Sequence, residues 1–185
     1  MGAPSEHASL AEQVEELLGT DGPLPILAAG DPVLRRAAEP FDGQLEPALL
    51  ARFVEALRVT MHAAPGVGLA APQVGVGLRI AVIEDPAPVP DEVRVARGRV
   101  PQPFRVLVNP RYEPVGAGRA AFYEGCLSVP GWPARIVQHE TDHLDGTLYL
   151  DRAELRSLAS GEAVAERWAQ PTPERAAAAL GFDLP

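Results

Sequence analysis

The sequence contains no lysine: all 16 of its basic residues are arginine, set against 25 acidic ones, for a net charge of −9. No basic stripe forms along the chain, which argues against a nucleic-acid interface built on phosphate contacts. The missing lysine, together with abundant alanine, reads as a GC-rich coding bias rather than as a functional feature. Cysteine is nearly absent too. Cys126 stands alone, so no internal disulfide can form, and its thiol is left for metal ligation, nucleophilic attack or core packing. No apolar run reaches membrane-spanning length, and the first residues lack the cationic segment and apolar core of a secretory signal. A cytoplasmic protein without membrane contact is expected.

What the chain does have is 46% apolar residues over 185 positions, enough for one domain with a real core, and 17 glycines with 20 prolines, which promise many stiff turns. Ser9 followed by Leu10, Val14, Leu17 and Leu18 predicts a short capped helix ending at Gly19. The stretch "PILAAGDPVLRRAAEPF" reads as strand and turn. Leu49, Leu50, Phe53, Leu57 and Met61 recur at helical spacing between Glu46 and His62. "LRIAVIE" and "FRVLVNP" are expected strands, as is "AFYEGCLSVPG". A helix is expected from about Ala134 to Leu144, a polar one from Arg152 to Ala169, and a last short one in "TPERAAAAL". Strands without regular βαβ alternation favour an α+β class, with small mixed or antiparallel sheets around a central helix. The expected division is an N-terminal extension over 1–24, a catalytic domain over 25–150 and a helical tail over 151–185.

The chemistry concentrates in "QHETDHLDG", residues 138–146. On a helix, His139 and His143 share one face and can aim two imidazoles at one ion, with Glu140 placed to hold a water. Two exposed histidines on a polar helix are the plainer alternative, but Ile136 and Val137 just before them suggest a buried helix. A catalytic metal usually takes three protein ligands. In metzincin-type proteases the third is a histidine beyond the glycine; Gly146 is in place here, but Tyr149 occupies the histidine position. Glu162 is at about the spacing used by thermolysin-like peptidases. Cys126 in "EGCLSVPG" offers a thiolate suited to Fe(II) or Zn(II), with Gly125 allowing close backbone approach.

"GVGLAAPQVG", "EGCLSVPG" and "QHETDHLDG", in that order, resemble the three signature segments of the bacterial peptide deformylases, and of actinobacterial members in particular. The likeness runs from about Pro25 to Leu150 through Gly66, Gly68, Ala70, Ala71 and Gln73, then Glu124, Gly125, Cys126 and Ser128, then Gln138, His139, Glu140, Asp142 and His143. It implies one metal ion per chain held by Cys126, His139 and His143, Fe(II) first and Ni(II) or Zn(II) as substitutes. It implies removal of the formyl group from formyl-methionine on nascent peptides, by a monomer working near the ribosome surface. Glu140 would be the general base and acid. The Gln73 amide and the Leu127 backbone N–H would meet the charge on the formyl oxygen, and Val67, Gly68 and Gly125 would pair with the substrate main chain. Phe122, Trp132 and Ile136 are candidates for an apolar methionine pocket.

The sequence departs from that family at one place. A longer run of strand structure normally separates the cysteine segment from the metal-binding helix, whereas twelve residues separate Cys126 from His139 here, as if a segment had been cut out between two Gly-Trp pairs that now share Gly131 and Trp132. The loss would remove cover from the core and leave Glu124 to find a new partner, Arg135 or Arg119. A non-catalytic, peptide-binding relative is therefore the main alternative, and a thermolysin-like peptidase using Glu162 a distant one.

Overall fold

Local chemistry sets the ends of the first helix, α1 (Leu10–Leu18). The Ser9 hydroxyl accepts from the Glu12 N–H at 3.3 Å and the Glu12 carboxylate accepts from the Ser9 N–H at 2.7 Å, and Gly19 closes it. The computed structural model describes residues 9–64, 66–85, 91, 99–113, 132–152 and 173–180. Helix α2 (Pro47–Ala63) starts with proline at its first turn, where no N–H is needed, and buries Leu49, Phe53, Leu57, Thr60 and Met61. Phe53, Leu57 and Met61 are wholly buried, and each contributes about 1.5–3 kcal/mol relative to exposure. Val14 of α1 enters the same core.

Strands β1 (Gly68–Ala70), β2 (Ile80–Asp85) and β3 (Gln102–Val108) form one antiparallel sheet in that order. Gly68 faces Ile83 across β1 and β2, and Ile83 faces Arg105 across β2 and β3. β2 is covered on both sides over its first four residues, 80–83, which is why all four are apolar before Glu84 and Asp85. Ile80 and Val82 join the core under α1 and α2, while Ala81 and Ile83 pack with helix α3 (Trp132–Leu144) on the opposite side. The small Ala70 and Ala81 let Leu144 of α3 come close. A last helix, α4, covers Pro173–Leu180.

This is the α+β arrangement expected, with an antiparallel sheet against the helix that carries the histidines. One expectation needs correcting. The stretch after Pro25 forms no strand; it holds a 3-10 turn at Pro32–Arg35, capped by Asp31, and an isolated parallel bridge between Glu39 and Leu78. Its N–H groups are engaged one at a time by different elements instead of by one ladder: Leu27 donates to Gln73, Leu34 to Asp31, Ala38 to Leu144 and Glu39 to Gly77. The "AFYEGCLSVPG" segment and all but the first residue of the polar helix expected at Arg152–Ala169 lie outside the described residues. Among the described residues, no helix is long and apolar enough to cross a membrane.

Candidate active site

Helix α3 turns Ile136, Glu140, His143 and Leu144 inward. His139 and His143, one turn apart, meet edge to face with ring centroids 4.7 Å apart and Nε2 atoms 3.1 Å apart. Two imidazoles on one tetrahedral ion, each at about 2.0–2.1 Å, would hold their nitrogens about 3.3–3.4 Å apart. The pair therefore fits a shared metal with almost no rearrangement. Burial, with the charge of His139 second, pulls the His143 imidazole down to about 4, so it stays neutral as a ligand must be. Among the described residues no group of three His, Cys, Asp or Glu side chains gathers into a metal site, and Cys126 lies outside them.

Glu140 sits between the histidines in sequence and beneath β1 in space. It is 3% exposed, its Oε2 has no hydrogen-bond partner among the described residues, and burial pushes its carboxyl up to about 8. A buried carboxyl with an open oxygen can take and return a proton, and a neighbouring cation would stabilise its charged form. Room for it comes from Gly68, where a Cβ would stand only 2.0 Å from Glu140 Oε1. The spacing G-x-G is thus explained at this position by a side chain seventy-two residues away.

Gln73 lies on a 3-10 turn, Ala71–Val74, directly after β1. Its Oε1 accepts from the Ala70 N–H at 2.7 Å, and its main-chain carbonyl accepts from Leu27 at 2.8 Å. With the oxygen engaged, the amide nitrogen is the end left to donate. The Val67 carbonyl accepts from the Glu84 N–H at 3.0 Å. Of the expected apolar pocket, Ile136 is buried against Ile83 with Val67 and Val137 beside it. Gly125, Leu127, Glu124, Phe122, Arg119 and Glu162, and the side chains of Trp132 and Arg135, lie outside the described residues.

Gly146 is the close of α3, at φ +72°. Its N–H reaches the His143 carbonyl at 3.2 Å and the Thr147 N–H reaches Asp142 at 2.9 Å. Tyr149 is exposed on the turn that follows. Three residues around the site carried no sequence signal of a role. Tyr112 hydrogen-bonds Asp142, which also pairs with Arg152 at 3.1 Å. Arg79 reaches the end of α3, and only its place as a lone charge beside a strand buried on both faces could have marked it. Asn109 adopts φ +52° and clasps both main-chain groups of Phe41 at 2.7 and 2.8 Å.

A His-Glu-x-x-His helix laid against a strand that opens on Gly68, with a buried carboxyl whose Oε2 has no partner among the described residues, is the equipment of a metal-dependent hydrolase. Comparison narrows the class. The model of a family described as polypeptide deformylase matches residues 23–132 and 130–158, and the chain belongs to that family. It is 73% identical over 214 aligned positions to peptide deformylase 1 of Streptomyces coelicolor, covering 100% of this chain and 98% of that protein. The peptide deformylase of Bifidobacterium adolescentis is 42% identical, covering 95% of each chain. Among solved structures, a Met-Ala-Ser-bound class I type b peptide deformylase from Acinetobacter baumannii superposes with TM-score 0.59 at 30% identity, covering 72% of this chain and 100% of that one.

The chain is accordingly an enzyme of the deformylase type, and neither the peptide-binding nor the thermolysin-like alternative finds support in these matches. The short connection is visible in them as well. Residues 130–132 serve both stretches of the family match, and the 214 positions aligned with the Streptomyces protein exceed the 185 residues of this chain by 29. The family's intervening segment is missing at Gly131 and Trp132.

Proposed function

We propose that this chain removes the N-formyl group from formyl-methionine at the start of newly made proteins, releasing formate, with Cys126, His139 and His143 holding a single Fe(II) that Ni(II) or Zn(II) can replace. The observation that carries this is the pair of Nε2 atoms 3.1 Å apart beside the buried, open carboxyl of Glu140. A thiolate with two imidazoles is a donor set that suits these ions. When bound, the ion supplies a Lewis acid that makes water nucleophilic at neutral pH.

Glu140 takes the proton that the attacking water gives up as its oxygen bonds to the formyl carbon. The carboxyl then hands that proton to the amine as the carbon–nitrogen bond breaks, so the acid ends each cycle in its starting state. Negative charge grows on the formyl oxygen during attack. The Gln73 amide, fixed in direction by the Ala70 N–H, and the Leu127 backbone N–H are assigned to meet it. Main-chain groups of Val67, Gly68 and Gly125 are assigned to the substrate backbone, as a strand added to the side of β1 that faces away from β2. The catalytic unit assigned to residues 25–150 lies within the 23–158 spanned by the family match. Work on nascent chains fits a cytoplasmic monomer near the ribosome surface.

The test is formate release from formyl-Met-Ala-Ser by anaerobically purified protein loaded with Fe(II) or Ni(II), beside Cys126→Ser and Glu140→Gln. Turnover is expected in the loaded protein and is lost from both variants, with Glu140→Gln still binding the ion. Turnover that survives Cys126→Ser would refute the ligand set.

A further inference from the structure

His143 stands one residue before the end of α3, and its Nδ1 is buried with no hydrogen-bond partner among the described residues. A metal-binding imidazole is ordinarily steered through its second nitrogen. Among the described residues, what directs the ring is the backbone that carries it and the packing around it. That backbone is gripped at Leu144, whose carbonyl accepts from the Ala38 N–H at 2.8 Å and from Arg79 Nη1 at 3.3 Å.

Arg79 does more than donate once. Its Nη1 pairs with Asp145 at 2.6 Å, and its Nε and Nη2 donate to the Pro110 carbonyl at 3.1 and 2.8 Å. Its main chain is held as firmly: the N–H donates to Glu39 at 2.7 Å, and the carbonyl accepts from Asn109 at 2.9 Å. The side chain is 9% exposed. One planar guanidinium thus joins the start of β2, the residues after β3 and the last turn of α3. Its charge also faces the C-terminal end of the helix, where the carbonyls carry partial negative charge.

We propose that Arg79 is a positioning residue for the metal site: it fixes the last turn of α3, and with it His143, relative to the sheet that presents Gly68 and Gln73. The proposal rests on the reading that His139 and His143 hold the metal. Lysine can supply the charge but not the three-way fork, so it restores the function only in part.

The experiment compares full-length wild type with Arg79→Met, Arg79→Lys and Asp145→Asn after loading with Co(II). The Co(II) visible absorption and affinity, kcat and KM for formyl-Met-Ala-Ser, and Tm are read for each. Arg79→Met is expected to shift the Co(II) bands and lower affinity and kcat by about 10–100-fold, with KM unchanged. Arg79→Lys recovers part of both, and Asp145→Asn shows a smaller loss in the same direction. A folded Arg79→Met with wild-type bands and kcat overturns the proposal. So does a loss of kcat that merely follows the unfolded fraction while the bands of the folded protein stay put. If Arg79→Met does not fold, the other two variants decide by the same readings. Co(II) binding that is unchanged in His143→Ala would overturn the metal reading and this proposal with it, whereas the earlier results overturn the proposal alone.

Discussion

Replacing Gly68 with alanine puts a methyl where Glu140 already is. The new Cβ would lie 2.0 Å from Oε1, 2.5 Å from Cδ and 2.9 Å from Cγ, while ordinary contact begins at 3.4 Å. The carboxyl oxygen must therefore retreat by about 1.4 Å, the difference between 3.4 and 2.0 Å. Moving β1 instead would break its pairing at Gly68 and Ile83 and pull the Val67 carbonyl from the Glu84 N–H. Moving α3 would unseat Ile136 and Leu144, both buried. Rotation of Glu140 is the cheapest relief, at about 0.5–1.5 kcal/mol for an off-rotamer side chain.

That small energetic cost displaces the proposed proton carrier by more than an ångström, which is worth on the order of 100-fold in rate. Formate release by Gly68→Ala should show kcat down by about that factor with the ion still bound. If Gly68 served only the substrate backbone, KM would rise and kcat would hold. Gly77→Ala is the control, because its Cβ would meet nothing within 4 Å and its φ is not positive. Wild-type kcat in Gly68→Ala would refute the close approach of β1 to Glu140.

Gly146→Ala combines an unfavourable φ of +72° with contacts of 2.9 Å to the main-chain carbons of Arg35 and Arg36; it should cost about 2–4 kcal/mol, and a Tm equal to wild type would contradict the packing described. Gly43→Ala, at φ +104° with nothing within 4 Å, carries the strain alone and should cost less in the same melt. Glu84 accepts from Arg58 at 2.9 and 3.1 Å, which holds its carboxyl below the ordinary value of 4.5. Its contribution is present above that value and lost as pH falls through the lowered one. Melts of Glu84→Gln should therefore show a deficit at neutral pH that closes in acid; a constant deficit would show that the charge is irrelevant. Removing the metal with a chelator should abolish turnover and lower Tm, since binding at 1,000 times Kd stabilises by about 4 kcal/mol. An unchanged melt would mean that no ion was bound to the folded state.

Much of this architecture is legible in the residues, because the strongest signals are periodic. The α2 stripe of Leu49, Phe53, Leu57 and Met61 and the apolar run of β2 each have a single way to be buried. The His139–His143 pair follows from helical spacing alone. Harder to read were features that depend on elements distant in sequence. Gly68 is small because of Glu140, Gly146 because of Arg35 and Arg36, and Arg79 matters because three chain segments end beside it. The segment after Pro25, expected as strand and turn, forms only the turn for the same reason: its Leu27 and Ala38 N–H groups dock on Gln73 and on Leu144 of α3, with no neighbouring strand to set an alternation.

The same anchors explain how the family's chemistry can tolerate a shortened connection. The missing positions lie at Gly131 and Trp132, before α3, whereas the contacts that seat its C-terminal half come from elsewhere: Ala38 and Arg79 at Leu144, Arg35 and Arg36 against Gly146, Gly68 above Glu140. All of these precede the cysteine segment in sequence and are untouched by the loss. For Cys126 to be the proposed third ligand it would have to reach the histidines across twelve residues, a link that spans about 40 Å when extended, so reach is not what would constrain it. On that proposal the shortening weighs on how firmly the thiolate is held, while the positions of Glu140 and His143 are set by the sheet and by the segment beneath the end of α3.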